Sequence, residues 1–244
     1  MPFDVLSLFE VDEAELSMNA DRGHPKHPRL ILTHAGAPRP TIRKLNISRG
    51  ECFSLLNHSL GGLNSTELRV VELNPPTFEA VKFAGRLIRH YGQHLSQLRL
   101  DICVTLENRL STGPDVWTAC NMASCMALDI LELTWTNFNP WGKDAEEHNI
   151  TRREVFRNIV STLPATLREL SIPISPSYEV PEFTESASYV TPVIEHAARR
   201  LPHLEHVTLV IARRLTLKDA KEVMHGMLSK DVIERGLVRF KHRL

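Results

Sequence analysis

The apolar and polar positions of this chain follow a six-residue pattern that recurs along most of its length. Apolar residues occupy the first, fourth and sixth positions, and variable residues lie between them. The six copies are Ile42-x-x-Leu45-x-Ile47, Leu68-x-x-Val71-x-Leu73, Leu95-x-x-Leu98-x-Leu100, Leu128-x-x-Leu131-x-Leu133, Leu167-x-x-Leu170-x-Ile172 and Leu204-x-x-Val207-x-Leu209. They start 26, 27, 33, 39 and 37 residues apart, and Phe3-x-x-Leu6-x-Leu8 is a degenerate further copy. Because apolar residues that alternate with polar ones form strands with one buried face, each copy predicts a short strand.

Segments with the period of an α-helix lie between most copies of the pattern. The predicted helices cover residues 77–93, 115–127, 152–163 and 192–201, and a final helix begins at Leu217. Their start signals are Thr77 as an N-cap, the capping box Thr151-x-x-Glu154, Thr191 before Pro192, and Thr216-x-x-Asp219. No copy of the pattern follows the final helix, so we expect this helix to cap the end of the array.

The alternation of strands and helices predicts an α/β fold in which strand–helix units stack side by side. A helix is wider than a strand, so the stack bends into a solenoid with a parallel sheet on its concave face. We predict a single domain across residues 1–244. Its parts are a degenerate N-terminal unit and loop in 1–40, the repeats in 41–215 and a C-terminal capping helix in 216–244.

Three segments rich in turn-forming residues are predicted as loops, namely 19–40, 134–150 and 173–190. The second of them carries three aromatic residues, Trp135, Phe138 and Trp141. Tryptophan is favoured at the centres of protein interfaces, so these side chains are candidates for a partner-binding anchor. The alternative is that they fold back and cover the flank of the solenoid, and the sequence leaves both interpretations open.

The pattern and its context resemble the leucine-rich-repeat superfamily, above all the long repeats of ribonuclease-inhibitor-like and F-box-linked proteins. Those families extend the pattern to L-x-L-x-x-(Asn/Cys). One copy, Leu98-x-Leu100-x-x-Cys103, matches this extension, whereas the others carry Gly50, Pro76, Thr136, Ser175 and Ala212. The resemblance covers about residues 40–215, and such irregular repeats look most like those of fungal F-box-type proteins.

The resemblance implies a horseshoe that binds another protein, as the substrate-recognition part of a ubiquitin-ligase receptor does. An F-box is a helical module that opens with Leu-Pro, and none is recognisable in residues 1–40. A ubiquitin-ligase adaptor as partner is therefore implied by the resemblance alone.

A candidate binding surface follows from the pattern itself. In each copy the residue between the last two apolar positions is predicted to face the concave side of the sheet. These residues are Asn46, Glu72, Arg99, Glu132, Ser171 and Thr208, and they are flanked by Lys44, Asn74, Gln97, Asp101, Thr134 and Glu169. Such a mixed polar strip suits a protein partner better than a phosphate backbone. A solvated strand face without a partner is the other interpretation, and the fold predicts the same strip in either case.

Composition narrows the choice of partner and compartment. Lysine plus arginine and aspartate plus glutamate number 29 each, so the formal net charge is zero. Nucleic acids and anionic membranes favour a basic excess, so we expect neither as a partner. Four irregularly spaced cysteines, Cys52, Cys103, Cys120 and Cys125, are predicted to be reduced thiols. With no signal peptide and no apolar run long enough to cross a membrane, we predict a cytoplasmic or nuclear protein.

The sequence lacks the signatures of nucleotide binding, zinc proteases and serine hydrolases. His24-x-x-His27 has the spacing of half a metal site, but no cysteine pair accompanies it. We therefore predict no catalytic residue, no cofactor and no metal, and a protein that is not an enzyme. The alternative is an α/β enzyme with a parallel sheet and no recognisable motif. The strands of a doubly wound sheet read as continuous apolar runs, whereas the strands here alternate.

Overall fold

A computed structural model of the chain describes residues 11–18, 28–35, 43–48, 68–75, 78–101, 120–134, 145–174, 179–211 and 214–242. The strands are β1 Val11–Met18, β2 Pro28–Ala35, β3 Lys44–Ser48, β4 Val70–Asn74, β5 Gln97–Asp101, β6 Ile130–Thr134, β7 Glu169–Pro173, β8 His206–Ile211 and β9 Val238–His242. The α-helices are α1 Phe78–Tyr91, α2 Ala145–Thr162, α3 Val180–Arg200, α4 Leu217–Met227 and α5 Lys230–Glu234. A short 3-10 helix spans Met122–Ser124. The predicted α/β class is confirmed.

The nine strands of the described residues form one sheet in the order β2-β1-β3-β4-β5-β6-β7-β8-β9. Strand β2 runs antiparallel to β1, and the other neighbouring pairs are parallel. From β3 onward the spatial order follows the chain order, so each crossover returns the chain to the next position in the sheet. Among the helices of the described residues, none combines the length and apolar character that crossing a membrane requires.

The backbone at the starts of strands β4 to β8 repeats one hydrogen-bond arrangement. The carbonyl of Arg43 accepts from the amides of Arg69 and Val70 at 2.9 and 3.0 Å. The carbonyls of Arg69, Ser96, Asp129 and Arg168 each accept in the same way from two successive amides at the start of the next strand. These carbonyls recur with the spacing of the sequence pattern, so the pattern marks equivalent positions in equivalent structural units.

The core lies on one face of the sheet. The first buried row across the strands consists of Leu45, Val71, Leu98, Leu131, Leu170 and Val207, which pair in register. They belong to one apolar cluster with the buried faces of α1, α2, α3 and α4. Burying a leucine side chain stabilises a fold by about 1.5–3 kcal/mol, so each unit is held by its neighbours. The residues between the buried positions stay partly or fully exposed, unlike those of a sheet that helices cover on both faces.

Two predicted helices are confirmed closely. Helix α1 occupies most of the predicted range 77–93, and α4 begins at Leu217 as expected. Thr216 caps α4, because its Oγ1 accepts from the Asp219 amide at 3.1 Å and donates to Asp219 Oδ2 at 2.7 Å. The local signal Thr216-x-x-Asp219 therefore located this helix start correctly.

The predicted starts of α2 and α3 are wrong. Helix α2 begins at Ala145, so the capping box at Thr151 lies inside the helix and the predicted loop 134–150 ends earlier. Its first turn carries Glu146 and Glu147, which favour a helix N-terminus. A capping motif raises the probability of a helix start without preventing a helix from continuing through it.

Helix α3 begins at Val180, so most of the predicted loop 173–190 is helical and Thr191 is not an N-cap. Its true start has Pro181 and Glu182 in the first turn, which suits the free amides and the dipole of a helix N-terminus. The buried positions Phe183, Ala187, Val190 and Ile194 follow the helical period on both sides of the interior proline. Tertiary burial thus outweighs the cost of Pro192, which lies on the exposed side.

The helix predicted over residues 115–127 is wrong where the structure describes it. From Cys120 onward the chain forms the 3-10 helix Met122–Ser124 instead. Asn121 has a φ of 54°, in the left-handed region, which an α-helix cannot include. Residues 115–119 lie outside the described residues.

The prediction of an irregular loop over residues 19–40 is wrong for 28–35, which form β2. This segment contains Leu30, Ile31 and Leu32, a run with high strand propensity, and it pairs with β1. The prolines and histidines that precede it dominated the composition of the segment and hid the strand. The degenerate copy at Phe3-x-x-Leu6-x-Leu8 lies outside the described residues.

The prediction that the final helix caps the array is also wrong, because β9 follows it and pairs with β8. In register with the earlier copies, Val238 and Phe240 take the last two apolar positions, and Arg235 takes the first. The Arg235 side chain donates to the carbonyl of Ala198 near the end of α3 at 3.1 Å. A charged residue therefore replaces the apolar one, and the pattern search missed this strand.

Candidate partner-binding surface

The six residues of the predicted strip lie in a single row across six adjacent strands. Asn46 pairs with Glu72, and the register continues through Arg99, Glu132, Ser171 and Thr208. None of the six is buried, whereas the residues on either side of them in each strand are. The structure therefore brings these residues together on the open face, which is the face opposite the helices. Their role in binding stays a prediction.

Arg99 lies at the centre of this row and is its most exposed charge. Its side chain is 46% exposed, and that of Glu132 is 30% exposed. Two ion pairs join neighbouring strands, Lys44 Nζ to Glu72 Oε1 at 3.4 Å and Arg99 Nε to Glu132 Oε1 at 3.8 Å. Partly exposed pairs of this kind contribute about 0–1 kcal/mol. Charged groups of a partner can therefore replace these ion pairs with little loss in the free energy of unfolding.

The flanking residues differ in how far they are available. Lys44, Asn74, Gln97, Thr134 and Glu169 are partly or fully exposed on the open face. Asp101 is only 3% exposed, and its Oδ2 accepts a hydrogen bond from Thr134 Oγ1 at 3.3 Å. Asp101 therefore acts within the fold, where a buried carboxylate needs hydrogen-bond donors, and it does not belong to the accessible strip.

The row extends beyond the residues that the sequence identified. Arg239 of β9 pairs with Thr208, and Lys241 pairs with Val210, so both side chains lie on the open face. Glu15 of β1 takes the position next to Asn46 at the other end. A pattern that contains only the last two apolar positions, Val238-x-Phe240, would have identified the β9 residues. The aromatic residues Trp135, Phe138 and Trp141 lie outside the described residues, as do His24, His27, Cys52 and Cys103.

One contact between a serine and a histidine resembles part of a catalytic triad. Ser161 Oγ lies 3.1 Å from His196 Nε2 between α2 and α3, and it also donates to the Arg157 carbonyl at 2.8 Å. Partial burial lowers the pKa of His196, and Arg157, Arg199 and Arg200 lower it further. A catalytic triad instead uses a carboxylate to stabilise the imidazolium. The surrounding charges therefore oppose acid–base catalysis, and the contact joins two helices.

Metal ligands show no clustering in the described part of the chain, where no three histidine, cysteine or acidic residues are grouped to hold an ion. Cys120 and Cys125 are buried free thiols beside the 3-10 helix. Burial raises the pKa of each thiol to about 12, and the neighbouring Cys125 contributes to the rise at Cys120. Both thiols therefore stay protonated at neutral pH.

We expect Cys120 and Cys125 to resist alkylation by iodoacetamide at pH 8 until the protein unfolds. The thiolate is the reactive species, and a pKa near 12 leaves about one thiol in ten thousand ionised at pH 8. Peptide mapping by mass spectrometry, with and without urea, measures labelling at each cysteine. Equal labelling of these two sites in the folded and unfolded chain would contradict the prediction.

The same pKa shifts predict a loss of stability at alkaline pH. The folded-state pKa of each thiol lies above its unfolded value of 9.0. Their contribution is therefore complete below about pH 9 and is lost as the pH rises toward 12. Urea unfolding at pH 8, 9 and 10 measures the decline. Combined Cys120→Ala and Cys125→Ala substitution should remove this part of the decline, and an unchanged pH profile in that variant would exclude the thiols as its cause.

No protein-family profile matches the chain, and no curated protein sequence matches it either.

Proposed function

We propose that this chain is a non-catalytic protein-binding module, built as a leucine-rich-repeat type of solenoid. Its open strand face would contact a protein partner. The observation that carries the proposal is the row of Asn46, Glu72, Arg99, Glu132, Ser171 and Thr208, six side chains in register on the uncovered face. A row of this length offers a continuous, rigid surface whose side chains are held by main-chain pairing.

The solenoid form is supported by the different widths of the two layers. Neighbouring strands in a sheet lie about 4.8 Å apart, whereas packed helices lie about 8–10 Å apart. Helices α2, α3 and α4 pack in sequence on the buried face. A layer of wider elements on one face bends the sheet toward the other, which makes the open face concave.

The mixture of charges supports a protein partner. The strip alternates acids with bases, as in the pairs Lys44–Glu72 and Arg99–Glu132. A nucleic acid would require a continuous excess of cations along its phosphate backbone. Alternating charges instead suit a partner that presents the complementary alternation, because such matching determines specificity and the rate of association.

Charge reversal at Arg99 tests the proposal. The partner is first identified by affinity capture of the tagged chain with cross-linking, and its dissociation constant is then measured with purified proteins. We expect Arg99→Glu to weaken binding about tenfold or more. A partner that complements Arg99 presents an acid there, and the substitution would place a second negative charge opposite this acid at the centre of the interface. The free energy of unfolding should fall by about 1–2 kcal/mol, because the substitution removes an exposed ion pair and places an acid between Glu72 and Glu132 on the adjacent strands.

Arg153→Glu is the matched control, because it makes the same change of charge at an exposed position on α2. It should leave the dissociation constant unchanged. Equal affinities for Arg99→Glu and the parent chain would exclude the strip as the binding surface. Capture of a ubiquitin-ligase adaptor would support the receptor role that the family resemblance implies, whereas turnover of a metabolite by the purified chain would favour the enzyme alternative.

A further inference from the structure

The last strand of the sheet presents backbone groups along an open edge. The Val207 amide donates to the Leu237 carbonyl at 2.8 Å, and Val207 is paired with Val238. In a parallel ladder, this arrangement directs the N–H and C=O groups of Val238 and Phe240 away from β8. Within the described part of the chain, these four groups have no hydrogen-bond partner. Strand β9 therefore offers the main-chain groups that another strand would need.

The side chains of β9 divide into a basic and an apolar set. Arg239 and Lys241 are exposed on the open face, and neither has a carboxylate within ion-pair distance among the described residues. Val238 and Phe240 lie on the core face and are only partly buried. The edge therefore alternates cations on one face with incompletely covered apolar side chains on the other.

The core is incomplete at this end of the sheet. In the described part of the chain, five apolar residues pack against the core while remaining partly exposed, and all five follow β8: Val223, Met227, Ile233, Val238 and Phe240. Earlier units bury the equivalent strand positions almost fully, as at Leu98 and Leu131. One more strand beside β9 would bury apolar surface that the chain itself leaves partly exposed.

We propose that β9 accepts an extended segment of a partner protein as an additional strand, and that this segment alternates acidic with apolar residues. Its acidic side chains would lie opposite Arg239 and Lys241, and its apolar side chains would extend the row of Val238 and Phe240. Addition of a strand to an exposed edge draws affinity from main-chain hydrogen bonds and specificity from alternate side chains. This surface is separate from the centre of the strip around Arg99.

A second copy of the chain fits the edge poorly. Antiparallel pairing of two β9 strands about Phe240 would place Arg239 of each copy opposite Lys241 of the other. Like charges directly opposite one another destabilise a strand pair. The two cations are therefore better matched by acids on a different chain.

Two short peptides test the proposal by fluorescence anisotropy with the full chain. One alternates glutamate with valine, and the other alternates lysine with valine. We expect the acidic peptide to bind. Combined Arg239→Glu and Lys241→Glu substitution should weaken this binding about tenfold or more. The same double variant should gain affinity for the lysine peptide. Lys218→Glu combined with Lys221→Glu is the matched control, because it reverses two exposed charges on α4.

Hydrogen exchange locates the bound peptide independently of charge. The amides of Val238 and Phe240 should exchange rapidly in the free chain and become protected when the acidic peptide binds. Absence of binding, equal binding of both peptides, or no effect of the β9 charge reversal would overturn the proposal. Sedimentation that shows a dimer of the chain, paired through β9, would also overturn it. Arg99→Glu should leave peptide binding intact, so failure here would not affect the function proposed for the strip.

Discussion

Replacement of Gly92 by alanine is expected to lower the free energy of unfolding by about 1–3 kcal/mol, because an extra methyl group has no room there. A Cβ at this position would lie 2.5 Å from the Ile88 carbonyl oxygen and 2.8 Å from that of Ser124. Both are backbone atoms, which cannot rotate away as the end of a side chain can. The Gly92 amide also donates to Ile88 at 2.6 Å, so movement of the residue would weaken this hydrogen bond.

Gly226→Ala is the matched control, and its effect should have the opposite sign. Gly226 lies in α4 with nothing within 4 Å of the position of a Cβ. Alanine should therefore raise the free energy of unfolding by about 0.5–1 kcal/mol, through higher helix propensity. Urea unfolding of the two variants at neutral pH measures both changes. A neutral or stabilising Gly92→Ala substitution would show that α1 does not approach the 3-10 helix as closely as described.

The close approach at Gly92 has a consequence for the repeat. It brings the end of α1 against the backbone of Ser124, in the crossover between β5 and β6. The described part of that crossover, residues 120–129, contains the 3-10 helix Met122–Ser124. The lack of a side chain at Gly92 allows the end of α1 to pack directly against this short helix.

The strands were predictable because their signal is local. Each copy of the pattern buries the same alternate positions, so β3 to β8 occur where the sequence placed them. Helix starts were less predictable, since Thr151 and Thr191 have the sequence of N-caps but lie within longer helices. On both sides of Thr191, the residues Ala187, Val190 and Ile194 continue the buried face of the helix, and the gain from that burial exceeds the preference for starting at a cap.

The strip was predictable for the same reason, but the residues that border it were not. Equivalent positions in successive copies pair in register, so Glu72, Arg99 and Glu132 had to lie side by side once the strands formed. Asp101 is buried and accepts a hydrogen bond from Thr134, 33 residues away in the chain. The addition of β9 depends on Arg235, whose side chain contacts α3 instead of filling the core. Such contacts between distant segments leave no periodic signal.

Truncation of the central buried row is expected to produce the largest loss of stability. Leu98→Ala should lower the free energy of unfolding by about 2–5 kcal/mol, because Leu98 is fully buried and its removal leaves a cavity. In a stack of repeated units, the free energy of unfolding is approximately the sum of each unit's own contribution and of the contacts between neighbouring units. When Leu98→Ala is combined with a second substitution, the combined effect should therefore depend on how close the second residue lies. Val71 and Val207 are valines in this same row, and both are fully buried.

The two valines therefore provide a matched pair of double-mutant cycles, measured by urea unfolding. Val71 pairs directly with Leu98 on the adjacent strand, whereas Val207 lies three strands away, or about 14 Å at the usual strand spacing. We expect Val71→Ala and Leu98→Ala to be non-additive by more than about 0.5 kcal/mol, since they enlarge one cavity. Val207→Ala and Leu98→Ala should add within about 0.5 kcal/mol. Strong coupling in the distant pair would contradict a stack of units that contact only their neighbours, whereas coupling confined to the adjacent pair would support it.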